Sequence, residues 1–229
     1  MFFFHPADLL MIPAIVMALW AQARVKSAYA KYSRIGTRSG MTGAEAAQRI
    51  LYGAGVNGVE LGMVPGEMTD HYDPARKCVN LSQGVYAGSS VAALGIAAHE
   101  VGHAIQDAQG YAPMRLRHFI YPISNIGSTL SFPLIFIGMI FNQSGMGWLI
   151  SLGIYLFSAA VAFTIITLPV EFDASRRAVR ALASGGQLTE DELRGVRKVL
   201  SAAALTYVAA AAAAVLQLLR LLIIARGRD

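Results

Sequence analysis

The fold class this sequence predicts is mainly α and polytopic in a membrane, with about four transmembrane helices and a small α+β unit between the first two. Three observations predict it. Of 229 residues, 55% are apolar and only 14% charged, a balance too apolar for an ordinary soluble domain. Four stretches, near residues 2–23, 119–141, 147–170 and 202–225, reach the ~20 helical residues that a hydrocarbon core requires. Lys and Arg number ten between residues 24 and 118, six between 171 and 200 and three from Arg220 onward, with none in the N-terminal tip or the 142–146 link. By the positive-inside rule the two rich loops face the cytosol and both termini lie outside, against the mild bias of the tail.

Residues 1–23 form the first span; no positive n-region precedes it, whereas Arg24, Lys26, Lys31, Arg34 and Arg38 follow it, the charge order of a retained anchor. Asp8 and His5 sit near its outer end. Residues 24–118 form a cytosolic unit. In it Thr42 and Glu45 make a capping box for a helix running to about Gly53, with Ala46, Ala47, Ile50 and Leu51 on its apolar face. Between Val59 and Ser82, short runs broken by Pro65-Gly66 and Asp73-Pro74 predict two or three strands. Ser89 or Ser90 then caps a helix from Val91 to about Ala108. Residues 119–170 form an uncharged helical hairpin with a tight link at Asn142 to Met146. Residues 171–201 form a second cytosolic helical segment, which stops at Gly185-Gly186 and restarts at a Thr189–Glu192 capping box. Residues 202–229 hold the fourth span and tail; the span is alanine-rich, with Arg220 near enough to its end to snorkel, and a helix that only partly crosses is the alternative.

The net charge of +5 does not mark a nucleic-acid binder, because the cations border apolar segments instead of forming an aromatic-interleaved stripe. A lipid bilayer is the expected partner and nucleic acid is not. One cysteine, Cys78, forms no intramolecular disulfide, so nothing demands an oxidising compartment.

The predicted helix at 91–108 carries Ala98-His99-Glu100-Val101-Gly102-His103-Ala104, an H-E-x-x-H pattern. That spacing puts two imidazoles one turn apart on one face, where both can grip one zinc ion, and it leaves Glu100 able to take a proton from the water the metal activates. By chance, three fixed residues recur in about one such chain in a hundred at average composition. A catalytic zinc wants a third protein ligand and keeps its fourth position open. Glu171 is the candidate, because it ends an uncharged span in Leu168-Pro-Val-Glu171-Phe-Asp-Ala174-Ser175, and a carboxylate at that depth needs a partner. Ala174 and Ser175 share its helical face and let another helix approach. The bland alternative makes His99 and His103 an ordinary hydrogen-bonded pair and gives Glu171 to Arg176 or Arg177. Asp173 is expected to be solvated, and Asp107, one turn past His103, to be a candidate acceptor for its second N–H. His71 and Tyr72 are weak candidates for an oxyanion donor; His5 and His118 read as interfacial.

The runs Thr69-Asp-His-Tyr-Asp-Pro74, Val79-Asn-Leu-Ser82, Gly88-Ser-Ser-Val-Ala92, Ala97-Ala-His-Glu-Val-Gly-His-Ala-Ile-Gln106 and Leu168-Pro-Val-Glu-Phe-Asp-Ala-Ser175 resemble the bacterial YugP-type membrane zinc metallopeptidases over nearly the whole chain. The resemblance implies a neutral zinc peptidase of the bacterial cytoplasmic membrane, with the H-E-x-x-H residues falling on His99, Glu100 and His103, and a zincin-like cytosolic unit. A more distant likeness is to the CAAX prenyl protease and HtpX group, whose E-x-x-A-D glutamate supplies the third ligand; Glu171 and Ala174 match it, while Ser175 stands where the aspartate would be.

The expected reaction is peptide hydrolysis without an acyl-enzyme, one Zn2+ per chain held by His99, His103 and Glu171, with Glu100 as base and peptide or protein substrates, membrane proteins among them, met at the cytosol–membrane boundary. Lys77 to Leu81 is expected to be an edge strand that pairs with an extended substrate. An intramembrane protease of the site-two type is disfavoured, since Val91 to Ala98 gives only a short apolar run and Asp107 closes it. The alternative from another class is a non-catalytic scaffold or transporter with a zinc-stabilised cytosolic domain; such a closed site would have no use for Glu100.

Overall fold

The computed structural model describes residues 5–186 and 188–226, apart from the side chain of residue 143. Residues 1–4 of the expected first span and 227–229 of the expected tail lie outside the described residues. Among these, contacts divide the chain into two compact units, one of residues 5–21, 115–168 and 206–226, the other of 22–114 and 169–205.

The chain is mainly helical, and four helices are long and apolar enough to cross a membrane. They are α1 (Met11–Tyr32), led in by a 3-10 turn at Pro6–Leu10, α5 (Ala112–Ile140), α6 (Trp148–Ser184) and α7 (Glu190–Arg226). All four outrun the apolar cores that identify them in sequence. Helix α6 has 37 residues, about 55 Å at ~1.5 Å per residue, whereas a hydrocarbon core is about 30 Å thick. Nothing in its sequence stops it at the apolar boundary: Pro169 sits inside the helix, and termination waits for Gly185 and Gly186, the latter at φ +60°. Helix α7 likewise begins at the Thr189–Glu192 capping box, in which each side chain reaches the other's backbone N–H, and runs on unbroken into the fourth apolar stretch.

In the first unit α5 and α6 turn back on each other through a short 3-10 turn, Asn142–Ser144, and Gly145 at φ +81°. Glycines set their approach: a Cβ on Gly127 would lie 2.7 Å from the Leu156 carbonyl oxygen, and one on Gly153 2.7 Å from that of Ser131. Close backbone approach is how helices gain dispersion contact where lipid offers no hydrophobic contrast. Ile135, Ile154, Phe157, Val161 and Leu221 form its core. Arg220, near the end of α7, donates to Asp8 at 2.5 Å, and His5 caps the 3-10 turn by accepting from the Ala7 N–H.

The second unit holds α2 (Gly43–Gly53), β1 (Glu60–Val64), β2 (His71–Asp73), β3 (Cys78–Ser82), the short α3 (Gln83–Tyr86) and α4 (Val91–Ala108). Thr42 and Glu45 form the expected reciprocal cap on α2, and Ser90, not Ser89, caps α4 by accepting from the Ala93 N–H at 3.1 Å. The sheet order is β1-β3-β2, with β3 parallel to β1 and antiparallel to β2. This corrects the expected role of Lys77 to Leu81: β3 is the central strand, bonded on both sides, and its main chain is not open to a substrate. The reason lies in composition, since Val79 and Leu81 are fully buried and the strand with two apolar anchors takes the middle. Helix α4 packs into a core with Leu81, Leu94, Val101, Leu182 and Val196, nearly all of it buried.

Candidate metal centre

Helix α4 has almost no polar face to give to water, yet it carries His99, Glu100, His103 and Gln106. Such groups are tolerated in a core only when partnered. Residues 99, 103 and 106 recur at i, i+4 and i+7 and so form one stripe, and that stripe meets the start of the second-unit portion of α6, where Glu171, Asp173, Ala174 and Ser175 lie. The approach is close because residue 102 is glycine: a Cβ there would stand 2.6 Å from the Ala174 carbonyl oxygen. Ala174 itself is fully buried.

Three ligand-type atoms converge across this contact. The Nε2 atom of His99 lies 3.3 Å, and that of His103 3.5 Å, from the same Glu171 oxygen, Oε2. One ligand atom from each residue falls within 4.8 Å of the other two, and this is the one such group of three found among the described residues. Glu171 is 3% exposed. In a tetrahedron with bonds of about 2.0–2.1 Å, the ligand-to-ligand edge is about 3.3–3.4 Å, so both nitrogen-to-oxygen spacings match zinc ligation. The donor set, two imidazoles and one carboxylate, is also the composition of an open catalytic site.

The surrounding hydrogen bonds differ from expectation in three places. Gln106, not Asp107, meets His103: its Oε1 lies 3.0 Å from Nδ1. Asp107 instead accepts from the Tyr72 hydroxyl at 2.7 Å and from the Lys77 ammonium at 2.5 Å, tying the β2–β3 hairpin to α4. Burial and that bond push the Tyr72 phenol far above its ordinary range, so it stays neutral. Asp173, expected to be solvated, accepts from Gln106 Nε2 at 2.9 Å and from Arg177 at 2.5 Å. Arg176 and Arg177 both pair with Asp173. On the other imidazole, the Ser175 hydroxyl lies 3.2 Å from His99 Nδ1. His71 is elsewhere, with its ring nitrogens on the Thr69 carbonyl and the Asn80 amide.

Glu100 is buried on α4, beside the two imidazoles in sequence. Burial works against a charge on His103, but the hydrogen bond and charge of Glu171, with the charge of Glu100 and the Gln106 contact, outweigh it and raise its pKa above the ordinary 6.5. Gln106 is the functional candidate that motif reasoning missed; its signal was the third place in the helical stripe begun by the two histidines.

The family model described as "Putative neutral zinc metallopeptidase" matches residues 7–226. The chain is 50% identical over 222 residues to the Bacillus subtilis (strain 168) protein described as "Putative membrane protease YugP", covering 96% of this chain and 97% of that one. No solved structure matches. A match that runs across all four apolar helices and both units is a match of the whole molecule, and this chain belongs to that neutral zinc metallopeptidase family.

Proposed function

We propose that the chain is a membrane-embedded zinc endopeptidase in which His99, His103 and Glu171 hold one Zn2+ and Glu100 is the general base. The observation that carries this reading is the convergence of two imidazole nitrogens on one buried carboxylate oxygen at 3.3 and 3.5 Å. A bound zinc there supplies Lewis-acid polarisation of a carbonyl and acidifies water at neutral pH. Glu100 then accepts the proton of the attacking water and delivers it to the departing amine nitrogen, a task for a carboxylate that sits next to the metal without ligating it. Glu171 and the imidazoles keep fixed positions through that transfer, because each is held by a helix packed in the core.

The side of the membrane follows from charge. Residues 24–118 and 171–200 hold most of the Lys and Arg, so the site faces the cytosol. Glu171 comes directly after the apolar run in sequence, which supports a site near the cytosolic boundary of the bilayer. Unfolded, juxtamembrane or membrane-protein segments are the substrates this position suits. Since β3 is closed on both sides, an extended substrate has only the β1 and β2 edges to join.

The test is made on full-length protein purified in detergent, with bound zinc and peptide cleavage both measured. Glu100→Gln should keep its zinc and lose about 10²–10⁴-fold in rate; Glu171→Ala should lose the metal. Undiminished cleavage by Glu100→Gln would assign the hydrolysis elsewhere, and full zinc occupancy in Glu171→Ala would mean another third ligand.

A further inference from the structure

Gln106 lies on the core side of α4 with no exposed surface, and every polar atom of its side chain is engaged. Its Nε2 is 2.8 Å from the Val170 carbonyl oxygen and 2.9 Å from Asp173 Oδ2; its Oε1 is 3.0 Å from His103 Nδ1. Which end of such an amide is nitrogen is settled by its neighbours. A main-chain carbonyl accepts and never donates. Asp173, gripped by Arg177 at 2.5 Å and by Arg176 at 3.4 Å, is an ionised acceptor as well. The end facing those two groups must therefore be the NH2, and both its hydrogens are used.

The consequence passes to the histidine. The oxygen end of Gln106 has only lone pairs to offer, so His103 Nδ1 must carry the hydrogen between them. In a neutral imidazole the other nitrogen then holds the lone pair, and that nitrogen, Nε2, is the one facing Glu171. Arg177 also reaches back to Gln109, the residue that caps the end of α4, at 2.6 Å.

We infer that Gln106, locked by Val170 and by the Asp173–Arg177 pair, is a positioning residue that fixes the Nδ1–H tautomer and ring orientation of His103 so that its Nε2 is presented for metal binding. The inference rests on the proposed zinc site and adds to it a non-ligand residue on which ligation depends. Most metal-bound imidazoles need an acceptor at the second nitrogen; here it is a neutral amide whose own polarity is enforced by a carboxylate on another helix. His99 has a different arrangement, a Ser175 hydroxyl able to donate or accept, so the two ligands are not held alike.

The test separates the acceptor from the packing. Zinc affinity of the metal-stripped, detergent-purified full-length protein is measured by competition with a chromophoric chelator, alongside the melting temperature. Gln106→Met, similar in volume and without an acceptor oxygen, should bind zinc about 10–100-fold more weakly. Gln106→Glu keeps an acceptor at His103 Nδ1 in either protonation state and should bind close to wild type. Gln106→Met loses both donors to Val170 and Asp173 and Gln106→Glu loses at least one, so both should melt lower. Affinity that follows melting temperature in the two variants, or wild-type affinity in Gln106→Met, overturns the inference. Should a variant fail to fold, ring ¹⁵N shifts of the metal-free wild type at alkaline pH, where His103 is neutral, decide: a proton on Nδ1 alone is expected, and a proton on Nε2 alone refutes the assignment. A wild type that binds no zinc would defeat the proposed function itself, a result read without either variant.

Discussion

At the scale of single residues the site is set by protons as much as by positions. His103 has its folded pKa raised by Glu171 against the opposing effect of burial. In the metal-free protein, that raised value stabilises the fold fully below the unfolded pKa of about 6.5, and the contribution is lost as pH rises through the folded pKa. For metal the sign is opposite, because a proton on Nε2 occupies the lone pair that zinc needs. Zinc affinity should hold at alkaline pH and begin to fall above pH 6.5 on acidification, by about tenfold per pH unit for one displaced proton. Chelator competition across pH 5–9 checks this, and an affinity flat through that range would contradict it. Gly102 gives a steric counterpart. Adding one methyl puts a carbon 2.6 Å from a backbone oxygen on α6, and neither main chain can step aside cheaply. Gly102→Ala should cost roughly 1–3 kcal/mol of stability and weaken zinc binding, as read by thermal melting and metal content. Unchanged values for both would mean that the helices do not approach as closely as described.

At the scale of elements, α4 depends on its start. Ser90 accepts from the Ala93 N–H at 3.1 Å, and its replacement by alanine should cost about 1 kcal/mol without altering zinc affinity, since the cap lies more than two turns from the stripe. This cap, the boxes at Thr42–Glu45 and Thr189–Glu192, and the stop at Gly185-Gly186 were legible in sequence because each is a local event, decided by residues within four positions. The H-E-x-x-H helix and the Glu171 partnership were legible for a related reason: the motif fixes a spacing on one helix, and an isolated carboxylate at the end of an apolar run advertises a missing partner. Strand order was not. Lys77 to Leu81 has the same short, apolar look as its neighbours, and only the tertiary pairing of Val79 and Leu81 makes it central. Asp107 and Asp173 were misread because a helix wheel gives a direction but not what stands opposite; Tyr72 and Lys77 claimed the first, Gln106 and Arg177 the second.

At the scale of the whole molecule, zinc should behave as a structural link as well as a reagent, because its proposed ligands come from helices far apart in the chain. A metal that binds only the folded form stabilises it by about 2.7 kcal/mol at a free concentration 100 times Kd. Chelation should therefore lower the melting temperature of the wild type and leave that of Glu171→Ala unmoved; equal shifts in both would separate the metal from these residues. The Asp8–Arg220 pair belongs to the other unit, and Arg220→Gln should lower thermal stability while leaving zinc content as it was. The extent of the helices was underestimated from sequence because hydropathy measures where a helix is apolar, not where its hydrogen bonding ends.

In the α5–α6 hairpin, Gly127 and Gly153 each admit a partner backbone where a Cβ would stand 2.7 Å from a carbonyl oxygen, so a larger residue at either position has to wedge the two helices apart and hand the vacated seam to lipid. Gly153→Val should therefore lower the melting temperature in detergent while metal content stays as it was, and an unmoved melt would mean that the seam tolerates the gap.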